Sequence, residues 1–83
     1  MQKKHPILIK LGQNIVSLRK SAGLSQEDLA LEANLDRTYV GGIERGERNV
    51  AVINICKLAK TLEVNPGRLL RGLEYIDAAD RKI

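Results

Sequence analysis

Three polar side chains, Arg37, Thr38 and Tyr39, follow one another directly after Asp36. The planar guanidinium of Arg37 can donate two hydrogen bonds to O6 and N7 of a guanine, and Thr38 can offer a base either a hydroxyl or a methyl group. The alternative for Arg37 is a charge that stays in solvent or binds a phosphate. At the start of a helix, these side chains indicate a segment that can read base edges in the DNA major groove.

Two short helices around a turn must present these side chains. Ser25 is a good N-cap with an acidic residue three positions later, which predicts helix 2 from Gln26 to Ala33. Asp36 then caps helix 3, which is predicted to run to Arg45. Two short helices joined by a tight turn form the helix-turn-helix arrangement, here over about residues 25–46, and the second helix of that arrangement lies in the groove.

Three further helices are predicted from apolar spacing and capping residues. Asn49 is predicted to cap helix 4, and Asn65 followed by Pro66 opens helix 5, over about residues 66–76. Helix 1, from about Pro6 to Ala22, repeats apolar residues at three- and four-residue steps: Leu8, Leu11, Ile15 and Leu18. Helix 4 is expected to turn five residues inward: Val52, Ile55, Leu58, Ala59 and Leu62.

The predicted fold class is all-α, a compact domain of five helices spanning residues 1–83. The chain of 83 residues is too short for a second independent core, and no strand pattern competes with the helices. Phe and Trp are absent, so the core must be aliphatic. The residues expected to meet in it are Leu11, Ile15, Leu18, Leu29, Val40, Ile43, Ile55, Leu58, Leu62 and Leu69.

Charge gives weaker guidance than geometry. The formal net charge of +4 suits a polyanionic partner, but acidic residues outnumber arginines between Ser25 and Asn49. The single Cys56 cannot form an internal disulfide, and no apolar run is long enough for a signal peptide or a membrane span. A cytoplasmic protein is therefore expected. No residues have metal-ligand or catalytic spacing, so we expect no metal, no cofactor, no small-molecule ligand and no enzymatic activity.

The motifs "LSQEDLA", "NLDRTYVGGIERG" and "LAKTLEV" resemble the phage-repressor type of helix-turn-helix protein, the XRE family. Within that family, the segment "LDRTY…IER…RN" resembles the controller proteins of restriction-modification systems, which are small homodimeric regulators. The resemblance covers about Leu11 to Leu70. It implies a phage-repressor-like DNA-binding domain.

The resemblance also implies residue roles. Gln26 matches the glutamine with which relatives touch the phosphate backbone, at a helix N-terminus that already favours an anion. Arg19 and Glu44 match a partly buried ion pair between helices 1 and 3, a structural role. The other expected phosphate contacts are Tyr39, Arg45, Arg48 and Asn49. Tyr39 could instead be a rim side chain packed on helix 2, and Asn49 could serve mainly as the cap of helix 4.

The adjacent glycines Gly41 and Gly42 are unusual inside a helix. Each costs about 1 kcal/mol relative to Ala, which indicates that side chains are unwelcome there. Gly41 would permit close packing beside the groove or helix 2. Gly42 occupies a position that relatives often use to read a base, so we count it with Arg37 and Thr38. The chain then either reads less at this position or lets those two side chains sit deeper.

The leading hypothesis is a sequence-specific, homodimeric transcription regulator that binds double-stranded DNA, a restriction-modification controller or autoregulator. Paired recognition helices would read half-sites of an inverted repeat about 34 Å apart. The expected dimer contacts lie in the C-terminal part, as the resemblance implies: Val64, Leu69, Leu73 and Ile76. The alternative for these side chains is closure of the monomer core. The alternative function is an antitoxin or adaptor whose main target is a partner protein.

Overall fold

The computed structural model describes residues 4–76, which form five α-helices and one turn of 3₁₀-helix. The helices are α1 Pro6–Ser21, α2 Gln26–Ala33, α3 Arg37–Glu44, α4 Val52–Leu62 and α5 Pro66–Leu69, followed by the 3₁₀ turn Leu73–Tyr75. Residues 4–76 contain no β-strand, as predicted. The bounds of α2 agree with the prediction, while α1 and α3 each end one residue earlier.

Side-chain caps explain where α2 and α3 begin. Ser25 Oγ accepts a hydrogen bond from the backbone N–H of Asp28 at 2.9 Å, and the Asp28 carboxylate accepts one from the N–H of Ser25 at 3.2 Å. This reciprocal capping box satisfies two backbone donors that the first helical turn leaves without partners. Asp36 caps α3 in a similar way, since its Oδ2 accepts from the N–H of Tyr39.

The predicted start of α4 was wrong. The N-cap is Ala51, which makes no side-chain capping bond, and Asn49 lies two residues before it, outside the helix. Val50, between them, is half-buried and packs against the core. Val52 was expected to face inward but is 76% exposed.

The predicted length of α5 was also wrong, because the helix ends at Leu69 rather than near residue 76. Nδ2 of Asn14 in α1 donates hydrogen bonds to the carbonyl oxygens of Leu69, at 2.8 Å, and Arg71, at 2.9 Å. Those carbonyls are therefore satisfied without a further turn of helix. The chain then turns at Gly72, whose φ of +86° a side chain would disfavour.

The core is a single aliphatic cluster that anchors α3 from behind. Its buried hydrophobic members are Leu11, Ile15, Leu29, Ala30, Ala33, Val40, Ile43, Ile55, Leu58, Ala59, Leu62 and Leu69. Nine of the ten predicted core residues are among them, and the tenth, Leu18, is half-buried against the cluster.

Gly12 brings α1 close to the end of α3. A Cβ atom at this position would lie 2.5 Å from the carbonyl oxygen of Glu44 and 2.6 Å from that of Ile43. Real Cβ atoms essentially never approach a neighbour so closely, so only glycine fits at this spacing. The sequence analysis did not identify this residue.

Candidate nucleic-acid interface

Helix α3 is exposed at its first turn, its leading edge, and is buried along the side that packs on the core. Arg37 and Thr38 are exposed in its first turn, whereas Val40 and Ile43 are buried in the core. Because 3.6 residues make one turn, Arg37 and Gly41, four residues apart, lie on one side of the helix, and Thr38 points away from Val40 and Ile43. The two candidate base readers therefore lie where a partner could reach them.

Gln26 joins this surface from the first turn of α2. Its Nε2 donates a hydrogen bond of 2.8 Å to Oε1 of Glu44 in α3, and its Oε1 lies 3.3 Å from the point where a Cβ of Gly41 would stand. Gln26 is thus brought to the side of α3 that also carries Arg37. The first turn of α2 is therefore in direct contact with the second half of α3.

The ion pair between Arg19 and Glu44 is present. Nε of Arg19 lies 2.7 Å from Oε2 of Glu44, and Nη2 of Arg19 lies 3.1 Å from Oε1. The side chains are only 13% and 5% exposed, and Nη1 of Arg19 also donates to the carbonyl of Leu24. The hydrogen bond to Glu44 raises the pKa of Arg19 further. This pair joins α1, the turn before α2 and the end of α3.

The glycine pair makes room for neighbouring polar side chains. A Cβ at Gly41 would lie 3.2 Å from Nη1 of Arg45 as well as close to Gln26. A Cβ at Gly42 would lie 3.1 Å from both Cγ and Nε of Arg48. Gly42 is itself buried, so the structure does not bring it to the exposed edge with Arg37.

Tyr39 is held between the loop after α3 and helix α4. The guanidinium carbon of Arg48 lies 5.9 Å from the centre of the Tyr39 ring, and Nδ2 of Asn54 donates to the Tyr39 hydroxyl at 3.1 Å. Tyr39 is half-buried against the core. Asn54 is a site residue that the sequence analysis missed, because it lies on the polar side of α4 and carries no motif.

Arg45 is paired at the surface with Glu47. Nε of Arg45 lies 3.1 Å from Oε2 of Glu47, and Nζ of Lys4 lies 3.6 Å from the same oxygen. The hydrogen bond from Arg45 is the main cause that lowers the pKa of Glu47. Arg48 and Asn49 are exposed in the segment that follows.

The predicted dimer residues divide into two groups. Leu69 is 0% exposed, so its assignment to a dimer contact was wrong: it closes the monomer core. Val64, Leu73 and Ile76 are half-buried. Among residues 4–76, the large apolar side chains that are exposed are Ile9, Leu31, Val52, Ile53 and Leu70.

Residues 4–76 meet the requirements of neither a metal site nor a membrane-spanning helix. No group of three His, Cys, Asp or Glu residues is arranged to hold a metal ion. In the same part of the chain, no helix has the length and apolar character needed to cross a lipid bilayer.

Fold and site together define a helix-turn-helix domain, in which α2 supports α3 and α3 presents its polar first turn. The helix-turn-helix family model matches residues 15–80. The chain therefore belongs to the helix-turn-helix family of the XRE, or phage-repressor, type.

Relatives within the family include control proteins. The chain is 48% identical over 65 residues to control protein C.BamHI of Bacillus amyloliquefaciens, a match that covers 77% of this chain and 80% of the relative. It is similar to the crystal structure of the restriction-modification controller protein C.AhdI from Aeromonas hydrophila, with 52% identity and a TM-score of 0.77, over 78% of this chain and 98% of that one.

A third relative was solved with DNA. The restriction-modification controller protein C.Esp1396I, as a tetramer in complex with its natural 35 base-pair operator, has a TM-score of 0.75 and 38% identity to this chain. The match covers 87% of this chain and 95% of that one. Controller proteins are thus similar to this chain over most of their own length.

Proposed function

We propose that this chain is a sequence-specific transcription regulator that binds duplex DNA as a homodimer and acts as a restriction-modification controller or autoregulator. The observation that carries the proposal is the exposure of Arg37 and Thr38 on a helix whose rear is fixed in the core by Val40 and Ile43. A single cytoplasmic DNA-binding domain over residues 1–83, without enzymatic activity, is part of the same proposal.

Base reading falls to the first turn of α3. Arg37 pairs with the O6 and N7 atoms of a guanine, and Thr38 contacts a neighbouring base through its hydroxyl or methyl group. Gly42 offers a base no side chain. The space beside it is occupied by Arg48, so its proposed part is to let this phosphate-contacting side chain lie close to α3.

The proposed phosphate contacts surround the first turn of α3. Gln26 stands at the N-terminus of α2, where backbone N–H groups favour an anion. Tyr39, Arg45, Arg48 and Asn49 supply the remaining contacts, and these fix the orientation of the domain without selecting sequence. Arg45 would exchange its exposed partner Glu47 for a phosphate, at a small cost because ion pairs between exposed side chains contribute little to stability.

A homodimer supplies the second reading helix. One α3 reads only a few base pairs, whereas two copies related by a two-fold axis read an inverted repeat. The half-buried Val64, Leu73 and Ile76 remain the proposed contacts between copies, and the exposed Leu70 lies in the same segment. The tetrameric assembly named for C.Esp1396I supports pairing of copies on an operator.

The proposal is tested by selection from random duplex DNA with the wild-type protein and with Arg37→Ala. We expect the wild type to enrich an inverted repeat with half-sites about one helical turn apart. Arg37→Ala should lose preference at one base pair of each half-site, equivalent to about 1–3 kcal/mol of discrimination. Glu32→Ala, which removes an exposed charge on α2, is the matched control and should enrich the wild-type sites.

Each alternative outcome has a distinct meaning. Identical enriched sites for the wild type and Arg37→Ala would show that Arg37 does not read a base. A single half-site in place of a repeat would exclude the homodimer. Absence of any enrichment would overturn the proposal of a sequence-specific DNA-binding regulator and would favour an adaptor whose target is a protein.

A further inference from the structure

The carboxylate of Glu44 has more partners than its ion pair requires. It accepts two hydrogen bonds from Arg19 and a third from Nε2 of Gln26 at 2.8 Å. An ionised carboxylate offers only acceptors, so the Gln26 amide must turn its nitrogen, not its oxygen, towards Glu44. The Glu44 carboxylate therefore determines the orientation of the Gln26 amide.

This orientation leaves a defined set of groups for an external ligand. One N–H of the Gln26 amide is bound to Glu44, and the same nitrogen retains a second N–H. The amide oxygen lies against α3, in the space left by the missing side chain of Gly41. An unrestrained amide could present its oxygen to a phosphate and repel it, whereas the amide held here keeps a donor available.

Arg19 allows an acidic residue to perform this role next to a polyanion. The Glu44 side chain is only 5% exposed, and both of its oxygens accept hydrogen bonds from Arg19. A carboxylate without such a partner would repel a nearby phosphate. The buried pair therefore offers Gln26 a strong acceptor while adding little net charge to the surface.

We propose that Glu44 is a positioning residue for DNA binding, which holds the Gln26 amide so that its second N–H donates to a phosphate oxygen. This role is additional to the structural ion pair, and it rests on the proposed function, in which Gln26 contacts phosphate. The affinity for DNA thereby depends on the Arg19–Glu44 pair that connects α1 to α3.

The test is a double-mutant cycle on binding to a mixed-sequence duplex at low salt, because phosphate contacts do not depend on sequence. The proteins are the wild type, Gln26→Ala, Glu44→Gln and the double variant, each confirmed as folded by circular dichroism. Gln26→Ala should weaken binding by about fivefold to tenfold in the wild type. In the Glu44→Gln protein, where one amide oxygen must serve both Arg19 and Gln26, it should change binding by less than about twofold.

Arg48→Ala is the matched control, because Arg48 lies beside Tyr39 and Gly42 and not beside Glu44 or Gln26. It should weaken binding by the same factor in the wild type and in the Glu44→Gln protein. If Glu44→Gln does not fold, Glu44→Asp replaces it, since the shorter carboxylate keeps the charge opposite Arg19 but withdraws from Gln26.

Failure of the positioning role and failure of the phosphate contact give different results. Equal effects of Gln26→Ala in the wild type and in the Glu44→Gln protein would overturn the positioning role and leave the phosphate contact standing. No effect of Gln26→Ala in the wild type would remove Gln26 from the DNA-binding surface, and the positioning role with it. The base-reading role of Arg37 would stand in both cases.

Discussion

Replacement of Gly12 by alanine should destabilise the domain strongly, although alanine is the better helix former. The new methyl group would lie 2.5 Å from the carbonyl oxygen of Glu44 and 2.6 Å from that of Ile43, where ordinary contact begins at 3.4 Å. Both obstacles are backbone atoms of α3, so no side chain can rotate to relieve the contact. Helices α1 and α3 would have to move apart.

The size of the effect follows from opposing contributions. Alanine in place of glycine within a helix contributes about 1 kcal/mol of stability. Forcing an extra carbon into a packed core typically costs about 1–3 kcal/mol. Separation of the helices also strains the buried pair between Arg19 and Glu44, whose disruption costs about 3–5 kcal/mol when complete. We therefore expect a net loss of about 2–4 kcal/mol in the free energy of unfolding.

Gly41→Ala provides a matched control with the same chemical change in another helix. Its methyl group would meet only Nη1 of Arg45 and the Gln26 amide, which are the ends of flexible side chains. Stability should therefore rise, by up to about 1 kcal/mol. DNA binding should weaken, because Arg45 and Gln26 are displaced.

Urea denaturation followed by circular dichroism measures both variants against the wild type. A lower midpoint with an unchanged slope identifies a true loss of stability for Gly12→Ala. In thermal unfolding, each 1 kcal/mol lost should lower the midpoint by about 4–8 °C. Equal or greater stability of Gly12→Ala relative to the wild type would refute the close approach of α1 and α3.

Two further predictions concern the C-terminal segment and the surface charges. Asn14→Asp should lower the free energy of unfolding by about 1–3 kcal/mol, because a carboxylate would face the carbonyl oxygens of Leu69 and Arg71 in place of a donor; an unchanged urea midpoint would contradict this. The pKa of Glu47, measured by NMR titration, should lie below its ordinary value and should rise in Arg45→Ala. The contribution of the Glu47 carboxylate to stability is therefore present above its ordinary pKa and is lost as pH falls through the lowered pKa. Equal Glu47 pKa values in the two proteins would show that Arg45 is not the cause.

Local signals in the sequence predicted the helix-turn-helix well. The start of α2 depends on Ser25 and the acidic residue three positions later, and the start of α3 depends on the single cap Asp36. Each interaction spans three residues. The core was predictable because α-helical periodicity assigns apolar residues to one face without knowledge of their partners.

Errors arose where distant parts of the chain meet. The end of α5 depends on Asn14, which lies 55 residues before Leu69 and carries no helix-ending signal. Gly12 shows its importance only when α3 is in place, and Asn54 only when Tyr39 is beside it. Leu69 fits a dimer contact as well as a core position by periodicity, and only its burial distinguishes the two. The roles of Arg37 and Thr38 at DNA stay predictions.

The acidic residues of the helix-turn-helix illustrate why a charge count misjudges this surface. Asp28 and Asp36 take part in N-terminal capping, where partial positive charge from the backbone compensates them. Glu44 is buried against Arg19, and Glu47 is paired with Arg45. Four of the six acidic residues between Ser25 and Asn49 therefore have compensating partners within the described structure. A count of formal charges therefore overstates the negative charge that this segment offers to a partner.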